Sequence, residues 1–307
     1  MSNVEKILKL IRSKPYTLDM GAGLLSKRYK VNKGDVYEAK RIFYEERDRG
    51  KEYNILSFDI ETAPLQAFVW GRWKQNVHHK QMISEWFMIC WAAKWFGSEE
   101  VLSASVTPEE VLKEDDTRIA IQLWKLMDQA DIVIAHNGKR FDVPKMNTRF
   151  LLAGLPQPSP YTIIDTLLVV RQQFAFSSNA MDELAGHFGI EHKDPTTFQL
   201  WVNCLKGDQE ALDYMEIYCR KDVRILEQVY VKVRPWIKNH PNLGLYIESD
   251  NMVCPSCGSE NLTRDNSHHY TKVNKFEIMR CNDCNSISRL RTSSYPINKR
   301  KKLITSL

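Results

Sequence analysis

Residues 53–250 carry alternating apolar runs and amphipathic stretches, a pattern that predicts strands interleaved with helices. Five apolar runs have the length of buried strands: 54–60, 86–96, 101–106, 132–135 and 162–164. Apolar residues recur at helical spacing in four longer stretches: 116–129, 142–152, 182–188 and 208–233. This order predicts an α/β domain over residues 53–240, with a mixed sheet covered by helices on both faces.

Residues 1–50 predict a small helical domain instead. Apolar residues at helical spacing mark three helices, the first on Ile7 and Ile11 and the third on Val36 and Ile42. The remaining face of the third helix is basic and carries Lys40, Arg41 and Arg47. Two helices joined by a tight turn, the second of them basic, are typical of a helix-turn-helix that binds nucleic acid. Any small helical bundle gives the same pattern, so both interpretations stay open.

Four cysteines near the carboxyl end have the spacing of a metal site. Cys254, Cys257, Cys281 and Cys284 form two C-x2-C pairs separated by 23 residues. The module over residues 251–290 resembles a zinc ribbon, in which four thiolates hold one structural Zn²⁺ ion. His268 and His269 lie inside the gap as competing ligands. A basic tail follows over residues 291–307, and the remaining thiols, Cys90, Cys204 and Cys219, are predicted to be core residues.

Composition adds a charge pattern to this picture. The chain has 307 residues, and its longest apolar run, from Trp86 to Ala93, is too short for a membrane helix. We therefore expect a soluble, cytoplasmic protein. Residues 1–52 carry 13 basic and 8 acidic side chains, and residues 251–307 carry 10 and 4. The middle of the chain keeps 20 basic and 26 acidic side chains. Basic ends suit a phosphate backbone, and an acidic centre suits divalent metals.

Two carboxylates interrupt the first predicted strand. Side chains alternate along a strand, so Asp59 and Glu61 project from one face, roughly 7 Å apart. Two neighbouring buried carboxylates repel each other unless cations lie between them. The alternative is that this face is exposed to solvent at the end of the strand.

Two further carboxylates lie in predicted helices, one in the middle of a helix and one at the start of another. Asp222 interrupts the apolar stripe of the last long helix, and Tyr218 lies one turn earlier on the same face. An Asp held by a core Arg or Lys, such as Arg220 or Lys221, would give the same pattern. Asp142 follows a strand and a turn at the start of a helix, where a simple helix cap is the alternative.

Together these motifs read Asp-x-Glu, Asn-x3-Phe-Asp and Tyr-x3-Asp, in that order. The set resembles the DEDD superfamily of 3′–5′ exonucleases, in particular its Tyr-containing subgroup, which has a ribonuclease H-like fold. The resemblance covers about residues 53–235. The segment over residues 64–96 is similar to exonuclease-like proteins of bacteriophages, and residues 181–194 resemble the segment before the family's last motif.

The resemblance implies two-metal hydrolysis of phosphodiester bonds with Mg²⁺ or Mn²⁺. Asp59 would bridge both ions, Glu61 and Asp222 would complete the site of the ion that activates water, and Asp142 would hold the other. Tyr218 would orient the attacking water. Asn137 and Phe141 match family positions near the 3′-terminal nucleotides, although Phe141 could equally be a core residue.

The expected function is therefore a 3′–5′ exonuclease acting on DNA, with proofreading or repair in trans beside a polymerase or another replication protein. An RNA exonuclease or a structure-specific nuclease uses the same carboxylates, and a non-catalytic nucleic-acid-binding adaptor is the alternative of a different class.

After the first motif, aromatic and basic residues alternate: Trp70, Arg72, Trp73, Lys74, His78 and His79. This loop could grip single-stranded nucleic acid or could be partly packed. Asp165 is expected near the site, and Lys193 is expected to be a solvated loop residue.

Overall fold

The computed structural model describes residues 2–13, 22–48 and 53–305, which fall into two compact units. The first unit comprises the described residues before 53 together with residues 245–250. The second comprises residues 53–244 and the described residues from 251 onward. No helix among the described residues is long and apolar enough to cross a membrane.

The first unit contains the three predicted helices. They are α1 (Asn3–Ser13), α2 (Ala22–Tyr29) and α3 (Lys33–Asp48). Ile7, Leu8 and Ile11 of α1 pack with Leu25 of α2, and Val36 and Ala39 of α3 belong to the same small core. The side chains of Arg41 and Arg47 lie outside the described residues. The helix-turn-helix interpretation therefore stays a prediction.

The second unit is built on a five-stranded mixed sheet. Its strands are β1 (Ile55–Thr62), β4 (Met88–Trp95), β5 (Leu102–Ser105), β6 (Ile132–Ala135) and β7 (Thr162–Asp165). They lie in the order β5-β4-β1-β6-β7. β1 pairs antiparallel with β4 and parallel with β6, and β6 pairs parallel with β7. All five predicted strands are confirmed, and β1 occupies the centre because it is buried on both sides.

Helices connect and cover these strands. They are α4 (Pro108–Lys113), α5 (Thr117–Met127), α6 (Asp142–Leu152), α7 (Thr166–Gln173), α8 (Met181–Phe188), α9 (Phe198–Leu205) and α10 (Gln209–Val233). The sequence pattern predicts α5, α6, α8 and α10 but not the short helices α4, α7 and α9. The predicted apolar stripe of α10 is buried along its whole length. This helix packs on β4 and β1, which places its middle above Asp59.

Two small sheets complete the unit. β2 (Gln66–Ala67) and β3 (Met82–Ser84) form a hairpin between β1 and β4. β8 (Leu262–Tyr270), β9 (Lys275–Cys281) and β10 (Ile287–Arg289) form an antiparallel sheet beside the four clustered cysteines. A short helix, α11 (Ile297–Arg300), lies in the basic tail.

Candidate active site

Strand β1 presents Asp59 and Glu61 on one face, as its alternation predicts. Asp59 lies opposite Ala92 of β4, and Glu61 lies opposite Cys90. The Sγ atom of Cys219, on α10, lies 3.8 Å from Asp59 Oδ2. The alternative of a solvent-exposed strand end does not hold, because α10 covers this face.

Helix α10 supplies the third carboxylate. Asp222 is buried in the middle of the apolar stripe, with Tyr218 one turn before it. Oxygen atoms of Asp59, Glu61 and Asp222 all lie within 4.8 Å of one another. Two elements that are about 160 residues apart in the chain therefore place three carboxylates around one point.

Asp142 is the first residue of α6, and its side chain is turned toward β1. Its Oδ1 atom accepts a hydrogen bond from the backbone N of Ile60, at 3.3 Å. Phe141 is the N-cap residue of α6 and makes no side-chain capping bond. The alternative of a simple helix cap is therefore wrong, because the buried Asp142 carboxylate sits against the strand that carries Asp59.

Burial raises the proton affinity of all four carboxylates, and neighbouring carboxylates of the site add to the effect at Asp59 and Glu61. Burial raises the pKa of Glu61 to about 7, and it raises the pKa of Asp142 to about 7. The pKa of Asp59 rises well above its usual value through burial and then through the charges of Asp142 and Glu61. Burial also raises the pKa of Asp222. Such a cluster is costly when ionised, so it favours the binding of cations.

Lys193 belongs to the candidate active site, although it was predicted to be a solvated loop residue. Its Nζ atom forms an ion pair with Asp222 and donates a hydrogen bond to the Tyr218 hydroxyl at 3.3 Å. Burial alone would lower the pKa of Lys193, but the Asp222 charge raises it above the ordinary value. The prediction of a solvated loop lysine is wrong. No signal within the loop sequence indicates that it folds back onto α10.

The alternative of an Asp held by a basic side chain is met by Lys193, but the two residues named for that role, Arg220 and Lys221, have other partners. Lys221 pairs with Asp194 and Glu191, and Arg220 donates a hydrogen bond to Ser103. Tyr218 is largely buried, and burial raises its pKa to about 12. Its phenol is therefore neutral at physiological pH and can orient a water molecule but not take up its proton.

Asp165 fixes the turn between β6 and α6. Its carboxylate accepts backbone hydrogen bonds from Asn137 at 3.0 Å and Lys139 at 3.1 Å, while it also caps α7. Asn137 has a left-handed backbone with φ 68°. A side chain at Gly138 would lie 2.3 Å from the Cβ atom of Ala135. Asp165 thus positions the segment that leads to Asp142.

Phe141 and Lys145 lie at the rim of the site. Phe141 is 41% exposed, so the alternative of a plain core residue is wrong. The Lys145 ammonium lies 4.8 Å from the Phe141 ring centroid and 4.2 Å from that of Trp86. It also donates a hydrogen bond to Thr62 at 2.8 Å.

The residues present fit divalent metal ions. Every candidate ligand is a carboxylate oxygen, the donor that Mg²⁺ and Mn²⁺ prefer. Asp222 Oδ1 is buried and has no hydrogen-bond partner among the described residues. A buried acceptor of this kind needs a partner, and beside two further carboxylates a divalent cation would supply one.

The cysteine cluster is a second candidate metal site. The Sγ atoms of Cys254 and Cys284 lie 3.6 Å apart, as do those of Cys257 and Cys281. Tetrahedral zinc with bonds of ~2.3 Å sets sulfur atoms roughly 3.8 Å apart, whereas a disulfide bond is only ~2.05 Å long. All four thiols are free. The four-cysteine cluster is thus compatible with a metal-holding zinc ribbon.

Both C-x2-C pairs have the same local backbone. The residue after the second cysteine has a left-handed conformation, with φ 78° at Gly258 and φ 62° at Asn285. Glycine and asparagine tolerate this conformation better than other residues. The backbone N of each of these residues donates to the carbonyl of the first cysteine of its own pair. His268 and His269 lie on β8, outside the four-cysteine group.

Comparison with known proteins supports the fold. The model of the RNase_H superfamily matches residues 95–234, a range that contains Asp142, Tyr218 and Asp222 but not Asp59 or Glu61. A comparison with curated proteins gives no match. The mixed five-stranded sheet, its helices and this match define a ribonuclease H-like fold. A ribonuclease H-like domain with an acidic cluster supports a nuclease-type, metal-dependent hydrolase activity in general terms.

Proposed function

We propose that the protein is a metal-dependent 3′–5′ exonuclease that shortens DNA from its 3′ end. The observation that carries the proposal is the convergence of Asp59, Glu61 and Asp222 on one point, with Asp142 beside them. The order of these residues along the chain, with Tyr218 one turn before Asp222, resembles the Tyr-containing subgroup of the DEDD superfamily. A binding adaptor gains nothing from buried carboxylates that repel one another.

The chain's own residues divide the work of hydrolysis. The four carboxylates would hold two Mg²⁺ or Mn²⁺ ions, with Asp59 central to both sites. Bound divalent cations supply a more acidic water and stabilise the charge that develops on the phosphate. The neutral Tyr218 phenol orients the attacking water through its hydroxyl. Asn137 and Phe141 contact the terminal nucleotides, with Phe141 stacking on a base at the rim.

The remaining parts of the chain are assigned to holding the substrate and the fold. The four cysteines hold one structural Zn²⁺ ion in the ribbon. The net charge of residues 1–52 and of residues 251–307 suits contact with DNA. Proofreading or repair in trans, beside a DNA polymerase or another replication protein, is the setting that such an activity would serve.

A direct test follows the fate of labelled single-stranded DNA with Mg²⁺ or Mn²⁺. We expect a 5′-labelled strand to shorten in single-nucleotide steps and a 3′ label to be released at once as a mononucleotide. The same assay with RNA of equal length separates the DNA and RNA alternatives. Internal cuts alone would contradict the exonuclease proposal and favour a structure-specific nuclease, and an inert protein would favour the adaptor.

Variants on α10 separate a metal ligand from a water-orienting residue. Asp222→Ala should abolish cleavage, and the domain should still fold because the substitution removes a buried carboxylate that repels Asp59 and Glu61. Tyr218→Phe should be slower by ~10²–10³-fold, because one oriented hydrogen bond is lost, while metal binding is retained. Tyr214→Phe is the matched control, since its hydroxyl contacts the backbone of Pro195. If Asp222→Ala cleaves normally, the site is misassigned.

A further inference from the structure

Residues 66–84 form an ordered hairpin, here called the aromatic hairpin. β2 and β3 pair antiparallel at its base. The backbone N of Phe68 donates to the carbonyl of Gln81 at 2.9 Å, and the Gln81 side chain donates to the carbonyl of Phe68 at 3.1 Å. Beyond this closure, the His78 side chain accepts from the backbone N of Lys80. These bonds fix the loop in a defined shape.

The aromatic hairpin exposes its largest side chains. Phe68 is 76% exposed, Trp73 is 81% exposed and Trp70 is fully exposed. Aromatic side chains of this size normally bury most of their surface. A group of them left in solvent marks an interaction surface. The alternative of a partly packed loop does not hold for these three rings.

The charge of the aromatic hairpin is opposite to that of its surroundings. Residues 66–84 contain no Asp or Glu, and they contain Arg72, Lys74 and Lys80 together with two histidines. The whole segment over residues 53–250 carries a net negative charge. A local cationic and aromatic surface on an acidic domain favours a polyanion that also presents flat rings, which describes a nucleic acid with unpaired bases.

The aromatic hairpin is joined to the candidate active site at both of its ends. β1 carries Glu61 and runs directly into it, and Lys145 contacts both Thr62 before it and Trp86 after it. Lys145 lies on α6, one turn after Asp142. Trp70 lies nine positions after Glu61 in the chain, so at most ~30 Å of extended chain joins them.

We propose that the aromatic hairpin binds single-stranded nucleic acid on the 5′ side of the nucleotide being removed. Trp70 and Trp73 stack on unpaired bases, and Arg72 and Lys74 contact the phosphates between them. Paired bases keep their faces inside a duplex, so the hairpin selects single strands. The assignment of polarity rests on the proposed function, because the strand that remains after each 3′ cut extends toward its 5′ end.

Binding can be measured without cleavage. The probe is a 5′-fluorescein thymidine oligonucleotide of about 20 nucleotides, long enough to cover such a site. The full chain is titrated into it without added divalent cation and without chelator. The double variant Trp70→Leu/Trp73→Leu keeps apolar area and loses both stacking faces. We expect it to bind at least about 20-fold more weakly, since each stacked ring contributes roughly 5- to 150-fold.

Two control variants make the test specific. Trp70→Phe/Trp73→Phe keeps aromatic faces and should bind within about 3-fold of the wild type. Val69→Ala/Val77→Ala removes exposed aliphatic groups from the same loop and should bind within about 2-fold, because no ring is lost. Wild-type affinity in the Leu double variant would overturn the proposal. So would retained oligonucleotide binding with loss of binding to phosphatidylserine-containing vesicles, which would assign the hairpin to a lipid surface.

Comparing kcat/KM on a small substrate with kcat/KM on an oligonucleotide tests the role of the hairpin independently of the proposed exonuclease function. The p-nitrophenyl ester of thymidine 5′-monophosphate is a single nucleotide, so it has no adjoining strand for the aromatic hairpin to hold. The Leu double variant should hydrolyse this ester with unchanged kcat/KM and should lose at least about 20-fold in kcat/KM on the oligonucleotide. Equal loss on both substrates would overturn the hairpin assignment. If the wild type hydrolyses neither, the proposed function fails, while the binding measurement still decides the role of the hairpin.

Discussion

Single residues decide the electrostatic state of the candidate active site. Four carboxylates with raised proton affinity lie close to the ammonium of Lys193, which contacts Asp222 and Tyr218. An ammonium ion and a divalent cation compete for the same carboxylate. Lys193 therefore lowers the affinity of the site for metal as long as it stays on Asp222.

Replacing Lys193 with glutamine should tighten Mn²⁺ binding. The substitution removes the competing charge and leaves Asp222 without its ion-pair partner, so we expect the apparent Kd for Mn²⁺ to fall roughly 3- to 30-fold. The free-energy change that corresponds to this fall in Kd is a modest fraction of the ~4 kcal/mol by which two unit charges 4 Å apart interact near a protein surface. Direct Mn²⁺ titration checks the prediction. Lys221→Gln, which touches only Glu191 and Asp194, is the control; equal effects in both variants would contradict it.

At the scale of elements, the cysteine cluster organises the small sheet of β8, β9 and β10. Its hydrophobic contacts are few: the four cysteines pack with Leu262. Burial raises the pKa of Cys254 to about 11 and raises that of Cys257 further. Protonated thiols make only weak contacts with one another, so we expect the element to depend on a bound ion for its stability.

Cys257→Ser should remove the metal and loosen this element alone. We expect zinc to fall from about one ion per chain to near zero, and the amide protons of residues 254–290 to lose their protection from exchange. The five-stranded sheet should keep its protection, because it has its own core. Cys204→Ser changes a buried thiol outside the cluster and should keep zinc. Full zinc content in Cys257→Ser would show that the ligand set is wrong.

At the scale of the whole molecule, the carboxylates of the candidate active site oppose folding at neutral pH. An acidic group whose folded-state pKa is raised binds more protons in the folded than in the unfolded state between the two pKa values. Its contribution to the free energy of unfolding therefore falls as pH rises through that window. For Glu61 the window runs from 4.5 to about 7.

Divalent cations that bind to the carboxylates should consequently raise the free energy of unfolding of the protein. At pH 7 we expect Mg²⁺ or Mn²⁺ to raise the free energy of unfolding by an amount on the order of 1–3 kcal/mol, since one pKa unit corresponds to ~1.4 kcal/mol. Glu61→Gln should flatten the decline of stability between pH 4.5 and about 7 and weaken the response to metal. Denaturant titrations at several pH values measure both effects. An unchanged pH profile in Glu61→Gln would contradict this account.

The sequence by itself locates the core of this protein and the candidate metal ligands. The periodic spacing of apolar residues locates β1, α6 and α10, because an element that buries one face needs apolar residues at regular intervals along the chain. A carboxylate that breaks such a repeat, as Asp59 and Asp222 do, is visible for the same reason. The spacing of the four cysteines is equally local, since each pair shares one short turn. The domain limits and the roles of individual residues stay predictions.

Tertiary structure alone decides which distant residues meet. Lys193 reaches Asp222, Asp165 holds the turn at Asn137, and Lys145 joins Thr62 to Trp86. None of these contacts leaves a periodic mark, because each joins loops or element ends far apart in the chain. Exposure of Trp70 and Trp73 is decided in the same way. The sequence of a loop is the same whether or not a neighbouring residue covers its aromatic side chains. Only the folded chain shows that the side chains of Trp70 and Trp73 are left largely exposed by the described residues.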